Sequence, residues 1–211
     1  MTEDPLRVDY QAGGLDGADL AADPFTQFAS WFDDAVRAGV AEPNTMVLAT
    51  VDDSGRPAVR AVLMKSFDQS GLVFFTNYES AKGYQLLTRP VAEACFVWQA
   101  LHRQVRIGGP VVKVDPAESD AYFASRPRGA QLAAWASHQS APIASRRALV
   151  NRFEEAGSRF GDGPIERPEY WGGYRLEADR VEFWQGQPDR LHDRIEYCLS
   201  GDDWSTQRLC P

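Results

Sequence analysis

Three cationic or titratable side chains occupy alternate positions near the carboxyl end of the sequence. Arg190, His192 and Arg194 stand in the segment RLHDR. Residues two apart project from the same face of an extended chain, so a strand over residues 190–197 would align all three. Guanidinium groups suit anions, and an imidazole exchanges a proton near neutral pH. The spacing therefore predicts an anion-binding wall with one proton-transfer group, although a solvated strand face fits the same pattern.

Side chains suited to phosphate occur in three further segments. Arg60 and Lys65 belong to one predicted strand, and Lys82 begins a short predicted helix, where free N–H groups and the helix dipole favour an anion. Tyr122 and Arg126 stand four residues apart, on one face of another predicted helix. Each charge alone is typical of a solvated surface. Together they indicate a phosphate-bearing small molecule without naming a reaction.

The sequence contains no complete catalytic or metal-binding motif. Its carboxylates are not paired as glycosidases require, and a nucleophile elbow, a GxGxxG and a P-loop are all missing. His102, His138 and His192 are far apart in sequence, so we predict no metal site. An organic cofactor would supply the missing chemistry.

The 211-residue chain is acidic, with a formal net charge of -8. This charge argues against a nucleic-acid or anionic-membrane partner. Cys95, Cys198 and Cys210 are odd in number and widely spaced, which predicts free thiols in a reducing compartment. The N-terminal segment MTEDPLRVDY is polar, and no apolar run reaches membrane-spanning length. We therefore expect a soluble cytoplasmic protein.

Helical and strand patterns predict a single domain over residues 23–211, preceded by a mobile arm over the Gly-, Ala- and Asp-rich residues 1–22. Helices are predicted over 23–39, with Asp23 as the N-cap and Pro24 in the first turn, and over 80–87, 116–127, 132–136 and 145–160. Strands are predicted over 45–51, 58–67, 72–77, 92–98, 104–114, 174–176, 181–184, 190–197 and 204–209. Hairpin-like links between the strands indicate an α+β, mainly β fold, an antiparallel barrel with helices packed outside.

Ordered motifs over nearly the whole length resemble the pyridoxine/pyridoxamine 5′-phosphate oxidase family. The resemblance runs from about Arg7 to Pro211 and rests on EPNTMVLATV, RAVLMK, FFTNYESAKG, RQVRIGG, YFASRPRGAQ, WASHQS, WGGYRL, EFWQG, RLHDR and the closing RLCP. It implies an FMN-binding split β-barrel that works as a homodimer, with the flavin at the subunit interface.

The resemblance also assigns roles to individual residues. It implies FMN contacts from Arg60, Ala61, Val62, Leu63, Met64, Lys65, Phe75, Thr76, Lys82, Gln104, Gln139, Ser140, Trp184 and Arg194. It implies substrate contacts from Lys65, Tyr122, Arg126, Gly129, Arg190 and His192, with Arg7 and Tyr10 on an N-terminal segment that can cover the site. Arg190 would clamp the substrate over the flavin and His192 would contact a polar ring substituent, which makes them the expected catalytic residues.

The implied reaction is oxidation of pyridoxine 5′-phosphate and pyridoxamine 5′-phosphate to pyridoxal 5′-phosphate, with dioxygen as acceptor and hydrogen peroxide as product. One alternative is a related flavin oxidase of a phenazine-type precursor. It would not need a substrate-phosphate pocket, so Lys65, Tyr122 and Arg126 weigh against it. The other is a split-barrel protein that binds flavin or pyridoxal phosphate without turnover, and the intact RLHDR segment weighs against that.

Three positions depart from the pattern usual in the family. Ala81 stands where an arginine is common, Gly129 where a serine commonly helps to hold the substrate phosphate, and Met64 where a leucine is common. An arginine before Lys82 could add a bidentate, charge-assisted contact to the cofactor phosphate. The departures therefore predict weaker phosphate binding.

Overall fold

The structure, a computed structural model, describes Tyr10, residues 13–15 and residues 20–211. Arg7, which the resemblance assigned to the substrate, lies outside the described residues. The helices of the described part are α1 (Pro24–Arg37), α2 (Ala81–Thr88), α3 (Pro116–Ser125), α4 (Arg128–Ala136) and α5 (Arg146–Phe160). Its strands are β1 (Thr45–Val51), β2 (Pro57–Leu63), β3 (Ser66–Asp68), β4 (Gly71–Asn77), β5 (Val91–Trp98), β6 (Arg103–Lys113), β7 (Trp171–Leu176), β8 (Arg180–Gln185), β9 (Asp193–Ser200) and β10 (Asp203–Arg208).

The strands form one antiparallel sheet that curls on itself. Its main path runs β10–β9–β8–β6–β5–β1–β2, and β4 joins β3 to β7 beside that path. Strand β6 connects the two parts, because residues 103–108 pair with β8 and residues 111–113 pair with β7. The predicted antiparallel, mainly β fold with helices outside is confirmed.

The change of partner along β6 occurs at its paired glycines. Gly109 has a φ of +156°, and a Cβ there would lie 2.0 Å from the carbonyl oxygen of Glu177. Paired glycines within a strand are typical either of a bulge or of a ligand close to the backbone. The neighbour that excludes a side chain is the protein's own backbone.

Two hydrophobic clusters hold the elements together. The barrel interior is filled by fully buried side chains such as Phe74, Phe96 and Phe183, against which α1 packs Phe28. The predicted N-cap of α1 is confirmed, since the Asp23 side chain accepts hydrogen bonds from the first-turn N–H groups. A smaller cluster joins α3, α4 and α5 to the start of β7; its buried members are Phe123, Leu132, Ala134, Ala156, Ile165 and Trp171.

The strand predicted over residues 190–197 was wrong at its start. Strand β9 begins only at Asp193, and residues 188–190 form a short 3-10 turn in which Asp189 and Arg190 have φ values of +54° and +63°. Pro188 has no N–H for a strand ladder, and aspartate tolerates the left-handed region. Arg190, His192 and Arg194 therefore do not share one strand face.

Other boundaries also differ from the predictions; β7, for example, begins at Trp171 rather than at residue 174. The strand predicted over 58–67 is divided into β2, which pairs with β1, and β3, which pairs with β4, and Met64 and Lys65 lie between them. The helix predicted over 132–136 begins earlier, at Arg128, directly after Pro127. Within the residues that the structure describes, no helix is both long and apolar enough to span a membrane.

Candidate functional site

A cavity of about 550 Å³ opens between the barrel and the α3–α4 pair, and we call it the Lys82 cavity. Ten residues that the resemblance assigned to FMN or substrate line it: Ala61, Val62, Leu63, Lys65, Phe75, Thr76, Lys82, Tyr122, Arg126 and Gln139. The other lining residues are Asn77, Pro127, Ala130, Ala133, Ala134, Ser137 and Trp171. Segments more than 60 residues apart in sequence thus meet at one place.

Lys82 is a buried cation in this cavity. Its Nζ donates hydrogen bonds to Thr76 Oγ1 and to Gln139 Oε1, both at 3.0 Å. No carboxylate among the described residues forms an ion pair with it. Burial, and then the charge of Arg60, lower the pKa of Lys82 from 10.5 to about 8. A bound anion would raise the pKa of Lys82 again, because a nearby opposite charge favours the protonated form of the lysine.

The amino end of α2 supplies further donors beside Lys82. The Ser80 side chain caps the helix by accepting from the N–H of Gly83. The N–H of Ala81 donates to Ser140 Oγ at 3.2 Å, which places the predicted FMN ligand Ser140 at the helix start. Ala81 itself is exposed. A helix start with a nearby cation and hydroxyls is suited to a phosphate.

Arg60 acts on this region although it is not among the described lining residues. Its guanidinium donates to Leu48 O at 3.1 Å, to Thr50 Oγ1 at 2.6 Å and to Gln85 Oε1 at 3.1 Å. All three acceptors are uncharged, and burial lowers the pKa of Arg60. This cation therefore keeps its charge available to an anion near Lys82.

Met64, another predicted FMN contact, has its side chain in the barrel core, with 4% exposure. Its backbone N–H and carbonyl are both hydrogen-bonded to Asn44, each at 2.9 Å. Neither its side chain nor these backbone groups are directed to the Lys82 cavity.

Arg126 lies against aromatic rings in another part of the cavity. Its Cζ is 4.6 Å from the ring centroid of Trp171 and 5.6 Å from that of Phe123. Its Nη1 is buried without a hydrogen-bond partner in the described part of the molecule. Burial lowers the pKa of Arg126. An unpaired buried donor is costly, and a phosphate oxygen would satisfy it.

Two other predicted substrate residues, Tyr122 and Gly129, lie close to Arg126 in the structure or in the sequence. The Tyr122 ring stacks on Phe75 at a centroid distance of 3.9 Å. Gly129 is exposed in the first turn of α4, and a Cβ added there would meet nothing within 4 Å. A serine at this position would fit without displacing a neighbour.

A second cavity, of about 520 Å³, lies on the other flank of the sheet. We call it the Trp184 cavity; it is lined by Tyr10, Val97, Gln99, His102, Arg103, Gln104 and Trp184. The His192 ring is 4.7 Å from that of Trp184 and 5.7 Å from that of Tyr10. His192 Nδ1 accepts from the N–H of Gln187 at 3.0 Å, so the neutral ring carries its proton on Nε2.

Strand register places three predicted FMN ligands side by side. Gln104 pairs with Trp184 across β6 and β8, and Trp184 pairs with Arg194 across β8 and β9. Directly paired residues project from the same face of an antiparallel sheet. Glu182 holds the Arg194 guanidinium at 2.9 and 3.0 Å, and these bonds raise the pKa of Arg194. Arg190 is exposed in the turn before β9.

The described part of the predicted arm contacts the barrel near this second cavity. Leu15 is buried, its N–H donates to Asp193 Oδ2 at 3.0 Å, and Arg208 Nη2 donates to its carbonyl at 2.7 Å. Tyr10 packs with its ring 4.4 Å from that of His102. The mobility of the arm stays a prediction.

The two groups of predicted site residues line separate cavities within one chain. Strands β2 and β8 are separated by β1, β5 and β6. Four strand spacings of ~4.8 Å amount to about 19 Å along the sheet. The structure therefore brings together the residues of each group but not the groups themselves.

Sequence reasoning missed Trp171, which lines the Lys82 cavity. This residue follows Tyr170 at the start of β7, and although the motif WGGYRL contains it, no local spacing pattern marks it as a site residue. Its neighbours Phe75, Tyr122 and Arg126 lie at least 45 residues away in the sequence. The described residues include no group of three or more His, Cys, Asp or Glu side chains placed to hold a metal.

The solved structures similar to this chain carry the same fold. The PhzG protein of Burkholderia lata, determined in complex with tetrahydrophenazine-1-carboxylic acid, superposes with a TM-score of 0.89 at 32% identity, covering 95% of this chain and 99% of that one. An FMN-binding protein of Nostoc punctiforme, described as related to pyridoxamine 5′-phosphate oxidase, has a TM-score of 0.71 at 22% identity, covering 91% and 100%.

Sequence comparisons cover nearly the whole chain. Residues 32–160 match the family described as pyridoxamine 5′-phosphate oxidase, and residues 171–211 match a pyridoxine 5′-phosphate oxidase C-terminal dimerisation region. Proteins named pyridoxine/pyridoxamine 5′-phosphate oxidase from Paraburkholderia phytofirmans and Burkholderia lata are each 53% identical, covering 98% of this chain and 97% of theirs. The chain belongs to the pyridoxine/pyridoxamine 5′-phosphate oxidase family.

Proposed function

We propose that this chain is an FMN-dependent oxidase that converts pyridoxine 5′-phosphate and pyridoxamine 5′-phosphate to pyridoxal 5′-phosphate. The observation that carries the proposal is the pair of cations in the Lys82 cavity. Lys82 and Arg126 lie on different elements, both are desolvated, and neither pairs with a carboxylate in the described part of the chain. Two phosphates, one of the cofactor and one of the substrate, would satisfy one cation each.

The residues present fit FMN. Lys82, Arg60 and the hydroxyl of Ser140 would hold its phosphate at the start of α2, where the helix N–H groups add to the attraction. Bound FMN would supply the redox chemistry, a two-electron oxidation of the substrate with dioxygen as the final acceptor. Phe75 and Thr76 on β4 would flank the cofactor from the barrel side.

The protein's own contribution to the reaction is positioning. Arg126, Tyr122 and Lys65 would hold the substrate phosphate, so that the substrate ring meets the cofactor at a fixed distance. His192 would donate a hydrogen bond from Nε2 to a polar substituent of that ring, since its Nδ1 is occupied by Gln187. We place Arg190 over the substrate as a clamp, as the family resemblance implies.

A homodimer would complete the site. The Trp184 group lines a separate cavity, about 19 Å along the sheet from β2, and we infer that a second copy brings its own Gln104, Trp184, His192 and Arg194 to the Lys82 cavity. Val59 and Val97, 67% and 50% exposed, offer apolar surface on β2 and β5 for such a contact. The match of residues 171–211 to a dimerisation region supports this arrangement. We infer that each chain contributes to both sites of the dimer. The cytoplasmic location of the protein stays a prediction.

A second candidate function is oxidation of a tricyclic phenazine-type precursor, favoured by the structural similarity to PhzG. A carboxylate such as that of tetrahydrophenazine-1-carboxylic acid would also accept from the unpaired Nη1 of Arg126, so turnover of the phosphorylated vitamers, measured below, separates the two candidates.

The test is peroxide release by the purified, FMN-loaded protein. We expect release with pyridoxine 5′-phosphate and pyridoxamine 5′-phosphate, and little with unphosphorylated pyridoxine, which lacks the group that Arg126 would bind. The variant Arg126→Met should lose most of this preference for the phosphorylated substrate. A protein that stays colourless with added FMN, or that binds FMN but turns over neither phosphorylated vitamer, would refute the proposal.

A further inference from the structure

One indole ring, that of Trp171, connects the groups around Arg126. Trp171 is 7% exposed and opens β7. Its ring centroid lies 5.6 Å from that of Phe75 and 6.2 Å from that of Tyr122, with interplanar angles of 13° and 7°. Its π face lies 4.6 Å from the Cζ of Arg126, nearer than the Phe123 ring at 5.6 Å. The three nearly parallel rings and the cation form one packed unit.

This unit holds Arg126 without occupying its hydrogen-bond donors. A carboxylate partner would fix a guanidinium equally well, but it would accept the N–H bonds that a phosphate needs. An aromatic face attracts the cation through its quadrupole and leaves the N–H groups in the guanidinium plane free. Arg126 Nη1 is buried and unpaired in the described part of the molecule, as this arrangement requires.

We propose that Trp171 is the positioning residue for the substrate phosphate. Its ring orients Arg126 with Nη1 ready to donate, and its parallel packing with Tyr122 fixes the neighbouring phosphate ligand. The inference deepens the proposed function and rests on it for the identity of the substrate. Trp171 would thus determine the affinity for the phosphorylated substrate without donating a hydrogen bond to it.

The chain offers a matched control for this experiment. Arg159 lies over the Trp135 ring at the same distance, 4.6 Å, and Trp135 does not line either cavity as described. Trp171→Leu and Trp135→Leu therefore remove equivalent arginine–tryptophan contacts, one at the site and one on the α4–α5 surface. FMN content and thermal midpoint establish that each variant is folded and loaded.

Steady-state kinetics with pyridoxine 5′-phosphate supply the first readout. Loss of a desolvated cation–π contact should raise KM about tenfold in Trp171→Leu, with kcat changed less than about threefold. Trp171→Phe keeps a smaller π face and should raise KM only about two- to fivefold. Trp135→Leu should leave both constants unchanged. An unchanged KM in folded Trp171→Leu would overturn the inference. So would equal KM increases in Trp171→Leu and Trp135→Leu.

A binding measurement separates this inference from the proposed function. Calorimetric titration of the FMN-loaded proteins with pyridoxal 5′-phosphate needs no turnover. Weaker binding in Trp171→Leu than in Trp135→Leu would support the role of Trp171 even if the wild type oxidised neither vitamer. In an Arg126→Met background, Trp171→Leu should cause a much smaller further loss than in the wild type, because only its packing with Tyr122 then remains to be lost. If Trp171→Leu fails to fold, wild-type affinity in Trp171→Phe would overturn the inference instead.

Discussion

The buried charge of Lys82 provides a pH-dependent test of its role at the cofactor phosphate. Folding lowers its pKa from 10.5 to about 8, chiefly through burial. A difference of that size corresponds to about 3 kcal/mol in the FMN-free protein. Between pH 8 and 10.5 the unfolded chain retains a proton that the folded chain has lost. The free energy of unfolding of the FMN-free protein should therefore rise with pH across this window, by up to about 3 kcal/mol.

The variant Lys82→Met removes the titrating group and keeps an unbranched side chain. In the FMN-free state we expect it to lack the rise that the wild type shows between pH 8 and 10.5. At pH 7, where wild-type Lys82 is charged in both folded and unfolded states, the desolvation penalty is fully present in the wild type and missing from the variant. Urea unfolding of both proteins at several pH values measures the difference.

FMN should reverse the effect, because its phosphate favours the charged form of Lys82. Below pH 8 the lysine is protonated with and without FMN, so affinity should change little. Above pH 8 binding must restore a proton, and affinity should fall by up to about tenfold per pH unit. Lys82→Met should bind FMN more weakly at pH 7 and lose this slope.

Fluorescence titration with FMN between pH 7 and 9.5 measures the slope. The matched control is Lys113→Met, since Lys113 is exposed and lies over the Tyr78 ring at 4.1 Å, outside both cavities. This control should keep the wild-type dependence. If FMN affinity of Lys82→Met falls with pH above 8 as steeply as that of the wild type, another group titrates and the role of Lys82 is refuted.

Three further substitutions test other parts of the site. Ala81→Arg should tighten FMN binding by roughly tenfold to a hundredfold, more at low salt, because an arginine at this exposed helix start adds a charge-assisted contact; equal titrations at two salt concentrations would show that the phosphate already has enough donors. Gly129→Ser should lower KM for pyridoxine 5′-phosphate about fivefold, since open space surrounds the new Cβ and a neutral hydrogen bond is worth ~1 kcal/mol; unchanged steady-state kinetics would place its hydroxyl out of reach. Gly186→Ala should raise the KM for pyridoxine 5′-phosphate several-fold, because the added Cβ would lie 2.9 Å from His102 and 3.0 Å from Tyr10. In a Tyr10→Ala background this increase in KM should disappear. An increase that persists there would mean that Tyr10 is not the displaced group.

Much of the fold could be predicted because its signals are local. The turn residues, the β-branched runs and the Asp23–Pro24 start of α1 each act within a few residues, and β1 was predicted with its observed bounds, Thr45–Val51. The family resemblance likewise selected ten residues that line the Lys82 cavity. Local propensity and ordered motifs therefore accounted for the elements and for residues of both site groups.

The alternate spacing of the charged residues over 190–194 does not produce a common strand face, and the sequence itself contains the physical reason. Alternation aligns side chains only if the backbone is extended, and Asp189 and Arg190 adopt positive φ values instead. Pro188 followed by aspartate is typical of a turn. Arg190, His192 and Arg194 stay predicted site residues, but they do not share a strand face.

By itself, the sequence determined the class of fold, the family and most residue types of the site. Only the tertiary structure decided which side chains meet. Strand register aligns Gln104, Trp184 and Arg194, which are up to 90 residues apart in sequence. Trp171 reaches Arg126 because β7 pairs with β4 beside α3. These contacts depend on strand register and on long-range packing. Local sequence patterns do not predict either of them, because pairing and burial are properties of the assembled sheet.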